Sequence, residues 1–397
     1  MKTKLSLVAA ALFATLPAMA AEPTNQELLE LLKKQQSEIE ALKQQANKTD
    51  KKVEETDSKV ESTAEAIESS MGMGGASKTH LGGYGEVHYN NIEDQEKIDV
   101  HRFVLFVGHE FNDKVRFYSE LELEHSLLQD TADGDSSGAI ELEQGYIEID
   151  LSDDTSVKTG MFLVPVGYVN ETHEPTTFYG VERNPIEKNV IPTTWREAGV
   201  MLNKQFNAGL TADFAVHSGL SVPTSGGKAF NIRSGRTSVA NAPADDLAYT
   251  ARIKYTAVPG LELSGSYQYQ SDVTQGELGA SANLLSLHAI YNSGNFGLRA
   301  LYADWQIDDS GAELVGRDEQ SGYYVEPSYR LNEKFGVFAR FSSWDNEAGI
   351  SLDTEKNQSN VGFNYWPHED VVFKFDIENR SGAQDGSGFN LGLGYQF

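Results

Sequence analysis

The feature that most constrains this chain is an alternation of apolar and polar side chains with a period of two, starting near Lys78 and running to the last residue, Phe397. Successive side chains of a strand point to opposite faces, so the pattern specifies strands with one apolar and one polar face. The last two segments show it most clearly. Val371, Phe373, Phe375 and Ile377 alternate with Lys374, Asp376 and Glu378, and then Phe389, Leu391, Leu393, Tyr395 and Phe397 alternate with Asn390, Gly392, Gly394 and Gln396. Elsewhere Val115, Phe117, Leu121 and Leu123 oppose Arg116, Tyr118, Glu120, Glu122 and Glu124, while Tyr249, Ala251, Ile253 and Tyr255 oppose Thr250, Arg252 and Lys254.

A soluble sandwich would alternate in the same way, so the connections decide the architecture. Seven are tight, at 112–114, 152–154, 206–208, 257–260, 293–295, 332–334 and 367–370. Between them lie eight longer loops, at 91–97, 128–138, 164–194, 219–246, 272–281, 308–319, 345–356 and 381–387, which gives sixteen strands. An even strand count, with tight turns on one rim and long loops on the other, predicts an all-β fold: a sixteen-stranded antiparallel transmembrane β-barrel with both ends on the tight-turn side. Aromatic residues near strand ends, among them Tyr84, Phe111, Tyr267, Tyr269, Tyr291 and Tyr365, are expected to form the interfacial girdles.

Multi-span helical transport is excluded, because the longest apolar run, near residues 5–16, is shorter than the roughly 18 residues a spanning helix needs. A formal charge of -27 argues against a nucleic-acid partner, since it repels phosphate backbones. The chain has no Cys, which removes disulfides, thiolate metal sites and cysteine nucleophiles.

The first 77 residues follow other rules. Lys2 and Lys4, an apolar run through Phe13 and Leu16, and Ala18-Met19-Ala20 form a secretory signal over residues 1–20. Residues 22–70 place Leu32, Ile39, Ala46, Val53, Val60 and Ile67 at heptad a positions and Leu28, Gln35, Leu42, Thr49, Thr56 and Thr63 at d. This spacing predicts an α-helical coiled coil preceding the barrel, on the periplasmic side, with β-branched residues favouring three strands. The glycine-rich linker 71–77 separates it from the barrel over 78–397.

The signal, the heptads, the barrel order and the terminal Tyr395-Gln396-Phe397 resemble Gram-negative trimeric porins, and the run Gly160-Met161-Phe162-Leu163-Val164-Pro165-Val166-Gly167, with Phe178 and Glu182-Arg183, resembles the phosphate-selective porin O and P family. The resemblance implies a homotrimer in the cell outer membrane, with lipid, lipopolysaccharide, the barrel-insertion machinery and peptidoglycan beside the coiled coil as partners. It also implies that Tyr395 and Phe397 form the assembly signal and that the loop after the glycine-rich run folds into the barrel as a constriction. Where the family commonly carries a basic residue and an aromatic, this chain has Leu163 and Val166.

Candidate pore-lining residues on polar faces are Arg102, Arg116, Glu120, Glu122, Glu124, Arg252, Lys254, Arg299, Arg330, Arg340 and Lys374, and candidate constriction-loop residues are Glu171, His173, Glu174, Glu182 and Arg183. Both signs of charge face the lumen. Residues 78–397 carry 23 Lys and Arg against 47 Asp and Glu, so the expected selectivity is weakly cationic or neutral. His109-Glu110 and His173-Glu174 lack the second His of a zincin helix, and the 130–141 loop has Asp135 where a calcium loop needs Gly. No cofactor and no metal are expected, and no nucleophile–base pair is marked, so the chain reads as a non-enzymatic channel for passive diffusion of small hydrophilic solutes and ions. The alternatives are a phosphate- or anion-selective porin, an outer-membrane barrel hydrolase or an adhesin.

Overall fold

The computed structural model describes residues 78–397 apart from 94, 127–137 and 207–208, together with Gln36. The signal, the heptad segment apart from Gln36, the linker and most of the 130–141 loop lie outside the described residues.

Sixteen antiparallel strands close into a barrel among the described residues. They are β1 (Thr79–Ile92), β2 (Gln95–Asn112), β3 (Val115–Glu124), β4 (Ala139–Ser152), β5 (Thr155–Leu163), β6 (Arg196–Phe206), β7 (Leu210–His217) and β8 (Ala248–Tyr255), then β9 (Leu261–Gln270), β10 (Ser281–Ser293), β11 (Phe296–Asp308), β12 (Glu319–Asn332), β13 (Phe335–Asp345), β14 (Lys356–His368), β15 (Val371–Gly382) and β16 (Gly386–Gln396). Each strand pairs with its neighbours in sequence, and β1 pairs with β16 in register Tyr84 to Gln396, so no sheet edge is left open.

Apart from 206–208, which falls largely outside the described residues, the tight turns fall where expected and use one device twice. The Asn112 side-chain oxygen accepts from the N–H of Lys114 (2.9 Å) and Val115 (3.0 Å), and Asn332 accepts from Lys334 N–H at 2.9 Å, so each Asn closes its own turn. On the opposite rim two expected loops are themselves tight. Ile92 pairs with Gln95, leaving only two residues between β1 and β2, and only 383–385 separate β15 from β16. These strands continue past the apolar belt with polar residues, which masks their ends in the sequence.

Closure uses the two terminal aromatics. Phe397 exchanges backbone hydrogen bonds with Gly83 (2.9 and 3.0 Å), and its ring stacks on Phe103 with centroids 6.2 Å apart. A Cβ at Gly85 would lie 2.6 Å from the Tyr395 hydroxyl, so that glycine is what lets the Tyr395 ring lie against β1.

The alternation changes phase in two strands. In the β1–β2 ladder Glu86 opposes Arg102 but Val87 opposes Val100, which leaves His101 as an extra residue; in the β3–β4 ladder Glu120 opposes Gln144 but Leu121 opposes Leu142, which leaves Glu143 extra. These are β-bulges, and each moves the residues beyond it to the other face. Ile140 (61% exposed) and Leu142 (48%) therefore face outward, and Glu141 and Glu143 face the lumen.

The interior is not uniformly polar. Segment 164–195, between β5 and β6, and segment 218–247, between β7 and β8, bury Val164, Ile186, Trp195, Leu220, Phe230 and Ile232 against Leu284, Leu301, Trp305 and Trp344 of the wall. This apolar cluster fills part of the lumen on the β10–β13 side, where a polar face was expected. Tyr84, expected in a girdle, is instead a fully buried luminal residue whose hydroxyl donates to Glu120 Oε1 at 3.4 Å.

Candidate functional site: the infolded constriction

Segment 164–195 carries one short helix, α1 (Ile186–Asn189), and its base is closed by the Val164 N–H, which donates to Trp195 O at 2.9 Å. Asn170 reinforces this closure. Its amide donates to Val164 O (2.8 Å) and Trp195 O (3.0 Å), and its carbonyl accepts from Trp195 N–H (2.7 Å). The buried Glu187 carboxylate ties the two ends of the segment, accepting from the N–H groups of Tyr168 and Val169, both at 2.6 Å, and from Asn184 at 2.7 Å.

The wall then holds the segment by charged groups directed inward. Arg252 binds Glu171 and also Asp213 at 2.7 Å. Arg299 donates to Thr177 O at 2.9 Å and lies over the Tyr168 ring, 4.7 Å from its centroid. Arg340 donates to the carbonyls of Tyr179 (2.5 Å) and Glu182 (3.2 Å) while bound to Glu326 at 2.6 Å. Lys374 Nζ sits 3.6 Å from the Phe178 ring centroid, and Asp376 accepts from Val181 N–H at 2.8 Å. Donors and acceptors from the wall thus replace the water these backbone groups would otherwise need.

Every candidate lining residue is on the inward face, but their surroundings differ. Arg102 is paired with Glu86 at 2.5 Å and reaches Glu122 at 3.9 Å. Glu120 meets Gln144 (2.7 Å) and His173 (3.3 Å). Arg116 lies away from the constriction, near the tight-turn rim, bound to Asp150 (2.5 Å) and Glu148 (3.2 Å). Arg330 lies over the Trp366 ring at 3.8 Å. Lys254 and Glu124 make no ion pair within 4 Å among the described residues, although Glu124 lines an outer cavity. In the segment itself, Glu182 bridges His88 (3.1 Å) and Lys188 (3.9 Å), whereas Glu174 contributes its carbonyl, which accepts from Thr177.

Three cavities surround the segment. One of about 230 Å³ lies against β1–β4 and is lined by His88, Arg102, Glu143, Phe178, Arg183, Arg233 and Arg236 among others. A second of about 300 Å³ lies toward β13–β15 and shares Glu182, Arg183 and Lys188 with the first. A third of about 150 Å³, toward the tight-turn rim, is lined by Phe178, Tyr179, Arg299, Arg330 and Trp366. Phe178 lines both the first and the third.

Arg183, Arg233 and Arg236 differ from Arg102, Arg252, Arg299 and Arg340 of the wall in having no carboxylate within 4 Å among the described residues. Arg183 donates to Thr194 Oγ1 at 2.9 Å, and Arg236 donates to Thr193 O. Burial, followed by neighbouring guanidiniums, holds Arg183 and Arg236 below the ordinary arginine value. Glu143, His101, Arg196, Arg233 and Arg236 escaped the period-two reading. The phase change from Ile140 and Leu142 to Ile147, Ile149 and Leu151 signals the bulge at Glu143, and Leu220, Phe230 and Ile232 signal that the second long loop is buried.

A closed barrel with an apolar outside, charged groups inside and a long segment folded across the lumen defines an outer-membrane porin, a passive channel. The chain belongs to the phosphate-selective porin O and P family, whose model matches residues 81–386. An uncharacterized protein of Aquifex aeolicus (strain VF5) is 29% identical over 342 residues, covering 75% of this chain and 74% of that protein. Among solved structures, the barrel resembles an anion-selective porin from Comamonas acidovorans (TM-score 0.58, 14% identity, 81% of this chain and 100% of that one). It also resembles Salmonella typhi OmpF (TM-score 0.57, 13% identity, 81% and 98%) and the outer membrane channel DcaP of Acinetobacter baumannii (TM-score 0.54, 13% identity, 80% and 97%).

Proposed function

We propose that this porin passes small hydrophilic solutes and ions along a route beside segment 164–195, narrowest at Phe178, and that it works as a homotrimer with its N-terminal coiled coil in the periplasm. The observation carrying the route is that Phe178 borders cavities of about 230 and 150 Å³ on either side of the segment. Pairing of Arg102, Arg252 and Arg340 with Glu86, Glu171, Asp213 and Glu326 leaves the acid-rich rims to set a weak cation preference.

A second reading, anion preference, is favoured by Arg183, Arg233 and Arg236, whose charges have no carboxylate partner within 4 Å among the described residues. A guanidinium about 5 Å from a passing anion is worth about 1 to 3 kcal/mol between the limits of bulk water and a protein surface. Reversal potentials in planar bilayers under a KCl gradient separate the readings. Chloride preference that falls at least about five-fold in Arg233→Gln/Arg236→Gln supports the anion reading. Potassium preference, unchanged in that variant, refutes it. Failure of Phe178→Ala to raise conductance would refute the route.

A further inference from the structure

We propose that Glu120, Glu143 and His173 form a binding site for one first-row divalent transition metal ion of the zinc class, joining the infolded segment to the barrel wall. His173 Nε2 lies 3.3 Å from Glu120 Oε1 and 3.6 Å from Glu143 Oε2, and the three donor atoms all lie within 4.8 Å of one another. Donors around a tetrahedral ion with bonds near 2.0–2.1 Å stand about 3.3–3.5 Å apart, so the spacing suits such an ion with little movement. His173 and Glu143 are 3% and 1% exposed, and His173 Nε2 and Glu143 Oε2 have no hydrogen-bond partner. Two buried, unpaired donor atoms therefore point into the same space.

Each ligand is also held from behind. The Asn170 carbonyl can only accept, so at 3.0 Å it fixes the proton on His173 Nδ1 and leaves the Nε2 lone pair of the neutral ring facing the carboxylates. Gln144 donates to the other oxygen of Glu120 at 2.7 Å, and Arg196 stands 3.8 Å from the other oxygen of Glu143. The bulge in β4 turns Glu143 inward, as bulges do where a side chain must be re-aimed. One imidazole with two carboxylates suits zinc-class ions rather than calcium or magnesium, which take oxygen donors. Glu143 lines the 230 Å³ cavity, which gives the ion a path in. The competing account is an imidazolium whose Nε2–H bridges the carboxylates, and it predicts no metal.

The test uses the full-length folded barrel in detergent, stripped with a chelator and titrated with Co²⁺ alone, read by its visible absorption. One Co²⁺ per chain, displaced by Zn²⁺, is expected. The signal should vanish in His173→Gln and in Glu143→Gln, both checked for the folded barrel by heat-dependent gel mobility. Gln144→Ala should bind at full stoichiometry with roughly ten-fold weaker affinity. Asp99, His101 and His125 form another group of ligand type, so His125→Ala must leave the signal intact. No saturable binding, a signal surviving His173→Gln, or a signal lost in His125→Ala would overturn the proposal.

Discussion

Gly167 offers the sharpest perturbation of the constriction. Its φ of +75° is in the left-handed region, and an added Cβ would stand 2.4 Å from Glu187 Oε1. In Gly167→Ala the backbone conformation alone costs about 1 kcal/mol or more. The Glu187 carboxylate must also move away from the N–H groups of Tyr168 and Val169, which it holds at 2.6 Å. Each such charge-assisted hydrogen bond is worth about 1.5–3 kcal/mol, so losing one and straining the backbone gives about 3 kcal/mol against the folded segment. That shifts the ratio of docked to undocked segment by about 150-fold. No strand is altered, so the barrel should keep its heat-resistant gel mobility while single-channel records show larger, noisier conductance and protease cuts within 164–195. Glu187→Gln keeps an acceptor oxygen and should show a smaller change of the same kind. If Gly167→Ala matched the parent in conductance, noise and protease resistance, the Glu187 knot would not be what holds the constriction.

Two further outcomes test the barrel itself. Leu142→Arg should lower the yield of folded protein, because that residue faces lipid where a charge costs up to about 2–4 kcal/mol, whereas Glu141→Arg, on the luminal side of the same strand, should lower it less; equal yields would refute the phase change at Glu143. Phe397→Ser should reduce outer-membrane yield by removing the outward aromatic beside Gly83 and Phe103, and undiminished yield would show that the terminal ring plays no part in insertion or closure.

Strand number, the barrel and its luminal charges were legible in the sequence because they rest on a local rule, the alternation of side chains along a strand. Arg252, Arg299 and Arg340 could be placed on the inner face from their neighbours alone. What they bind could not, since Glu171, Thr177 and Tyr179 lie on a connection with no period, and only closure of the barrel brings them together. The two hairpins hidden inside expected loops, at 93–94 and 383–385, were missed because polar strand ends beyond the membrane look like loop. The bulges at His101 and Glu143 stand between these cases: the apolar residues change phase in the sequence, but a single extra residue could be absorbed by a turn or a bulge, and pairing with the neighbouring strand decides which. The sequence by itself determined the fold, since the solvent on each face selects the side chains there. The constriction was decided by tertiary structure, because its hydrogen-bond partners come from strands far apart in the chain that meet only when β1 closes on β16.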